Sequence, residues 1–176
     1  MVQSLRELKK NACLRVHPEA DNWFGQQARR YLCFEGTSAH FASALFYLVD
    51  VVRSILLYSW RKMDFIIFVR YLMGTAYLPS PIDTIAYNFF TSMVPKSSHM
   101  FFLDVNPEEA ASRIAKNRTQ TEMFESPNSL RKIRAKALAL TRFDKWTIID
   151  SNKSISETAS NINSSLFNEE DILQKL

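Results

Sequence analysis

Four short runs of apolar, β-favouring residues, separated by longer stretches with helical spacing, constrain the fold of this chain most. They fall at residues 12–16 (Ala-Cys-Leu-Arg-Val), 64–69 (Asp-Phe-Ile-Ile-Phe-Val), 100–105 (Met-Phe-Phe-Leu-Asp-Val) and 146–149 (Trp-Thr-Ile-Ile), the last followed by Asp150. The second and third hardly alternate with polar residues, which predicts strands buried on both faces. Between them lie helical patterns. Phe24, Ala28 and Leu32 share one stripe over residues 24–33, and Leu45, Leu48 and Val52 share one over residues 39–59. Asn106 is placed to cap a helix opened by Pro107-Glu108-Glu109. A strongly basic helix is predicted over 129–141, and Ser156, Ala159 and Ile162 suggest a last amphipathic one, with the polar residues after Asn163 free to fray. Strands alternating with helices over 176 residues predict one α/β domain around a parallel sheet. Ligands in such folds sit beyond the C-terminal strand ends, here residues 17–22, 70–77, 106–107 and 151–153.

Other classes are disfavoured. The two cysteines, Cys13 and Cys33, form no zinc motif or disulfide framework, which suits a reducing cytoplasm. His17, His40 and His99 are isolated, so no metal site is predicted. The longest apolar stretch, 41–52, contains Asp50 and is shorter than the roughly 20 residues a membrane span needs. The first ten residues hold no apolar signal core. A net charge of +4 suits phosphate ligands as well as scattered solvated cations. Lys132, Arg134, Lys136 and Arg142 form the dense basic cluster, but alanines interrupt it and no aromatics interleave, so nucleic acid is not the expected partner.

Five segments carry the chemistry that can be read. His17-Pro18-Glu19-Ala20-Asp21-Asn22-Trp23-Phe24-Gly25 follows the first strand and leads into a helix bearing Arg29 and Arg30. Tyr47-Leu48-Val49-Asp50 lies on the long helix; the tyrosine offers a flat face for stacking, or packs in the core. Phe65-Ile66-Ile67-Phe68-Val69-Arg70-Tyr71 is followed by Gly74-Thr75-Ala76-Tyr77. An arginine ending a buried strand needs a partner, either an acid nearby or a phosphate gripped through two hydrogen bonds. Phe101-Phe102-Leu103-Asp104-Val105-Asn106-Pro107-Glu108-Glu109-Ala110-Ala111-Ser112-Arg113-Ile114 continues into Lys116, Arg118 and Glu122-Met123-Phe124-Glu125. Ile148-Ile149-Asp150-Ser151-Asn152-Lys153 closes the last strand.

Taken together these segments resemble the thymidylate kinase branch of the P-loop nucleoside monophosphate kinases, over about residues 1–163. The most specific match is Leu103-Asp104-Val105-x-Pro107-Glu108-x-Ala110-x-x-Arg113-Ile114, followed by Arg70-Tyr71 with Ala76-Tyr77. The resemblance implies a three-layer, parallel-sheet P-loop NTPase fold and transfer of the γ-phosphoryl group of ATP, with Mg²⁺, to a nucleoside monophosphate such as dTMP. It further implies that Arg70 holds the acceptor phosphate, that Tyr47 stacks on the base with Asp50, His17 and Tyr77 nearby, and that a lid at about 113–128 brings Arg113 and Arg118 over the phosphoryl group. Asn152 and Lys153 would lie beside the donor base. Pairing as a homodimer is implied in the same way. Val51, Val69 and Met123 stand where the family uses charged residues, and Ala137 near where many members carry tyrosine. These departures leave the acceptor's identity open.

One required motif does not occur. The three glycines, Gly25, Gly36 and Gly74, are followed by Gln26, Thr37 and Thr75, so G-x-x-x-x-G-K-[ST] does not occur in these residues. In the family the strand before that loop lies between the strands matching 64–69 and 100–105. Without it those neighbours would stand roughly 10 Å apart, two strand spacings. The expectation is therefore an N-terminally incomplete domain over 1–176, lacking its first strand, with Val2, Leu5 and Leu8 continuing the helix that follows the loop. With that loop supplied upstream, a phosphotransferase is expected; the alternative is a non-catalytic, kinase-like protein that binds a nucleotide or a partner.

Overall fold

A computed structural model describes residue 5 and residues 9–34, 36–117 and 125–167. Among them the elements run β1 (Ala12–Val16), α1 (Trp23–Leu32), α2 (Thr37–Tyr58), β2 (Phe65–Val69), a 3₁₀ segment (Leu72–Tyr77), α3 (Ile82–Met93), β3 (Met100–Asp104), α4 (Pro107–Asn117), α5 (Pro127–Leu140), a 3₁₀ turn (Thr141–Phe143), β4 (Trp146–Asp150) and α6 (Ile155–Leu166). All four apolar runs are strands. The helix over α3 was not foreseen.

β1 pairs with β2 in parallel, Ala12 opposite Phe65 through Val16 opposite Val69. β3 pairs with β4 in parallel, Met100 opposite Trp146 through Asp104 opposite Asp150. The two pairs remain separate two-stranded sheets, and no described strand bridges β2 and β3. The expectation of strands buried on both faces therefore holds only in part. Leu14, Val16, Val69, Leu103 and Ile148 stay exposed, because no described element covers those faces.

The main core lies between the first 3₁₀ segment, α3, β3 and α5, around Leu72, Ala76, Tyr87, Phe90, Met100, Ala137 and Leu140. Tyr87 is fully buried, yet its hydroxyl donates to Asp144 (3.0 Å) and accepts from the Trp146 indole (2.7 Å), which satisfies its polar end. Burial, reinforced by Asp144, raises its phenol pKa, so that proton stays in place. α6 begins with a capping box: the Ser154 side chain accepts from the Glu157 amide, and the Glu157 side chain accepts from the Ser154 amide.

α2 extends beyond the apolar run that suggested it. By length and composition alone, its span Ser38–Tyr58 is apolar enough to cross a membrane. It also buries Ser43, Asp50 and Ser54 against other elements, as the central helix of a globular fold does.

α1 is capped by Asn22, whose side-chain oxygen accepts from the Gly25 amide at 3.0 Å. That close approach needs glycine, because a Cβ on Gly25 would overlap the Glu19 backbone. Gly25→Ala should therefore cost about 2–3 kcal/mol, read as a lowered urea midpoint at unchanged slope.

Candidate functional site

The loop after β1 is organised by one carboxylate. Asp50, on α2, is fully buried. Its Oδ2 accepts from the Glu19 amide at 2.9 Å and lies 2.9 Å from His17 Nδ1, while its Oδ1 accepts from Asn22 Nδ2 at 2.6 Å. Ser54 donates to Glu19 (3.0 Å), and Arg15 pairs with both Glu19 and Asp21. The His17 ring stacks 6.1 Å from Phe68 and meets Tyr47 edge-on at 6.5 Å. A buried carboxylate with three neighbouring polar groups is the internal scaffold of this loop. Neither His17 nor Asp50 lines the cavity described next; both lie behind Tyr47.

That cavity, of about 1030 Å³, opens at the C-terminal end of β2. One face of α2 forms a wall through His40, Ala44, Tyr47, Leu48 and Val51, positions a helix brings onto one side. One face of α5 forms another through Ser129, Lys132, Ile133, Lys136 and Ala137. The segment from Arg70 to Pro79 closes a third side. Three of the expected acceptor residues, Arg70, Tyr47 and Tyr77, thus meet in one cavity.

Tyr47 is held rather than loose. Its hydroxyl donates to the Tyr71 carbonyl at 3.2 Å, and its ring rests on Gly74. Burial pushes its phenol well above the usual tyrosine range, against an opposing pull from Arg70, so it stays neutral. Burial likewise raises Tyr71 to about 12. A Cβ at Gly74 would overlap the Tyr47 ring. Gly74→Ala should displace that ring and weaken nucleotide binding by roughly tenfold with the fold retained, read by calorimetric titration beside a circular-dichroism melt.

Arg70 immediately follows β2 and adopts φ 58°, a left-handed backbone that non-glycine residues seldom take. Such a conformation costs on the order of 1 kcal/mol or more and tends to persist at functional sites. Among the described residues no hydrogen bond or salt bridge engages its guanidinium, and the residue is exposed on the cavity wall. Its placement suits a planar donor fork for an incoming phosphate.

Lys132 and Lys136 share the α5 face. Lys136 is anchored, donating to the Leu78 carbonyl at 2.6 Å and lying 3.6 Å from Asp83. Lys132 is exposed and has no such anchor among the described residues. Read only as part of a basic cluster, Lys132 was not recognised as a cavity cation. Its i, i+4 relation to Lys136 across an apolar Ile133 was the available signal. Arg134, in the same cluster, is clamped on Asp104 at 2.6 and 2.8 Å.

The donor-side candidates are placed differently. Arg113, on α4, donates to the carbonyls of Ser151 (2.9 Å), Asn152 (3.2 Å) and Lys153 (3.1 Å), and pairs with Glu109 at 2.7 Å. The Asn152 side chain accepts from the Asn106 amide at 2.8 Å and donates to Asp150 at 2.7 Å. Residues 151–153 are therefore pinned by α4 on one side and by β4 on the other. Arg118, Met123 and the middle of the expected lid, residues 118–124, lie outside the described residues. No group of three or more His, Cys, Asp or Glu side chains suited to a metal occurs among the described residues. With no phosphate-loop lysine either, the residues at hand do not fit a Mg²⁺–ATP site.

Residues 1–162 match the family model for thymidylate kinase. Over 82 residues the chain is 35% identical to the "Probable thymidylate kinase" of Pyrobaculum calidifontis, covering 47% of this chain and 41% of that protein. The match thus spans about two fifths of the length of this curated relative. The structure superposes on thymidylate kinase from Candida albicans with a TM-score of 0.67 and 18% identity, over 96% of this chain and 85% of that one. At that identity the likeness concerns the fold, the P-loop nucleoside monophosphate kinase fold.

Proposed function

This chain belongs to the thymidylate kinase family, and on that basis we propose that it is a nucleoside monophosphate kinase that transfers the γ-phosphoryl group of ATP to dTMP or a related nucleotide. The observation that carries this reading is the cavity beyond β2, where Arg70, in a left-handed backbone and with its guanidinium open, stands beside the fixed ring of Tyr47. In this proposal Arg70 grips the acceptor phosphate, Tyr47 lies against the base, and Tyr77 lines the same space. His17 and Asp50 act from behind by holding the loop and the helix. Arg113 keeps residues 151–153, with Asn152 and Lys153, in place for the donor base. Arg118 is proposed for the phosphoryl group on the resemblance alone. ATP and Mg²⁺ are the donor and cofactor of the proposed reaction, and the described residues do not fit them.

The same proposal includes a cytoplasmic location and a homodimer. Exposed Leu45 and Leu56, on one face of α2, supply apolar surface for self-association. A second reading, nucleotide binding without transfer, is favoured by Val69 at the strand end where the resemblance implies aspartate.

The test is transfer of label from [γ-³²P]ATP to a panel of nucleoside monophosphates. It is run on the 176-residue chain and on the same chain preceded by a strand and a G-x-x-x-x-G-K-[ST] loop. Transfer to dTMP in either form, lost in Arg70→Ala, supports the kinase. Bound dTMP without transfer in both forms decides for the second reading.

A further inference from the structure

The N-terminal ends of β1 and β2 carry a cationic surface that the acceptor reading does not use. The Asn11 carbonyl accepts from the amides of Asp64 (3.1 Å) and Phe65 (3.2 Å), and the Asn11 amide donates to the Asp64 carboxylate at 2.8 Å. These bonds bring the residues entering β1 beside the turn that joins α2 to β2. Lys9 and Lys10 precede Asn11, while Trp60, Arg61 and Lys62 precede Asp64, and all five are exposed. Trp60 leaves 85% of its surface open. The turn itself is held: the Arg61 amide donates to the Tyr58 carbonyl at 3.0 Å, and the Arg61 guanidinium lies 4.4 Å from the Tyr58 ring centre, with that of Arg15 at 4.2 Å. Cation–π contacts of this kind fix a guanidinium without neutralising it. Asp64 sets a single negative charge against these cations. The cavity opens at the other end of β2, about 13 Å along the strand.

We propose that this surface binds single-stranded nucleic acid, with Lys9, Lys10, Arg61 and Lys62 on the phosphate backbone and Trp60 as the stacking face for an unpaired base. A strand is recognised without regard to sequence when cations track its phosphates and an open aromatic ring meets its bases, because every base has a π-face. The basic cluster on α5 has no such ring among its cations, whereas Tyr58-Ser59-Trp60-Arg61-Lys62 interleaves them. A duplex keeps its base faces stacked inside and offers Trp60 little. A lipid surface is met by an apolar face set among cations, and residues 59–62 of the turn offer only Trp60 for that purpose. Strand and acceptor nucleotide would occupy opposite ends of β2, so each binds with the other in place. The proposal does not rest on the acceptor reading.

Fluorescence anisotropy of the full chain with a labelled oligo(dT) of about twelve nucleotides tests it. The oligonucleotide carries a 5′-hydroxyl, so that it presents no terminal phosphate to the acceptor cavity. Four phosphate contacts predict that log K falls with log salt at a slope of about −2.8, and Lys10→Gln with Lys62→Gln should flatten that slope by about 1.4. Trp60→Ala should weaken binding at least about fivefold, Trp60→Phe should recover part of the loss, and the matching duplex should bind at least about fivefold more weakly than the single strand. Circular-dichroism melts check that these surface variants remain folded. Absence of binding at about 50 mM salt, an affinity that Trp60→Ala leaves within about twofold, or a duplex bound as tightly as the strand would each overturn the proposal. Sedimentation with phosphatidylserine vesicles, in a protein that ignores oligo(dT), would assign the surface to lipid and overturn it as well.

Discussion

Asp50→Ala should lower the unfolding free energy by about 3–5 kcal/mol, the largest stability loss expected from a single substitution here. The carboxylate engages the Glu19 amide, the Asn22 amide group and the His17 ring in a fully buried site. Its removal takes a buried partner from each of these groups, at about 1–3 kcal/mol each when taken alone, with only a longer contact to Asp21 left to the Asn22 amide, and leaves a cavity as well. Asn22 also caps α1, so the helix start should loosen along with the loop. Asp50→Asn keeps one acceptor and should recover part of the loss. Urea denaturation checks both, and a loss under about 1 kcal/mol for the alanine variant would contradict the scaffold role. A base-contacting Asp50 would instead show its main effect on nucleotide affinity in protein of near-normal stability.

Arg70→Ala should weaken dTMP binding about 100-fold or more, because two charge-assisted hydrogen bonds to a phosphate contribute on the order of 3 kcal/mol together. Arg70→Lys retains the charge but not the fork, so its affinity should fall between the two. Stability should move the other way from Asp50. The φ of 58° is strained for any residue with a Cβ. Arg70→Gly should therefore leave the melting temperature equal or higher while losing binding as the alanine variant does. Titration calorimetry at fixed ionic strength, paired with thermal melts, separates these effects. Loss of both stability and binding in Arg70→Gly would mean that the side chain is a structural tie.

The strands were legible because their chemistry is local. Runs such as Phe65–Val69 are apolar with little interruption, and few other elements use that pattern. α3 was hidden by its own residues: Thr84, Ile85, Tyr87, Phe89, Phe90 and Thr91 favour strands, and the helix is held by burying Tyr87 and Phe90 in the core. The cavity beyond β2 was half legible. Arg70 and Tyr47, which both line it, stood out because a strand-end arginine and a helix tyrosine each pose a chemical question in isolation. The backbone twist of Arg70 and the contact of Gly74 with the Tyr47 ring depend on distant packing, as does the split between Asp50 behind the wall and Val51 on it. Arg113 shows the same limit. Its sequence context suggested a group for the phosphoryl moiety, whereas three backbone carbonyls of residues 151–153 surround its guanidinium.

A crystal structure of the chain with dTMP tests the account most directly. The prediction is a phosphate within hydrogen-bond distance of the Arg70 guanidinium, with the thymine ring inside the cavity beside Tyr47 and between α2 and α5. A nucleotide whose phosphate sits elsewhere, for example on Arg113 and residues 151–153, or a cavity left empty at saturating dTMP, would contradict it.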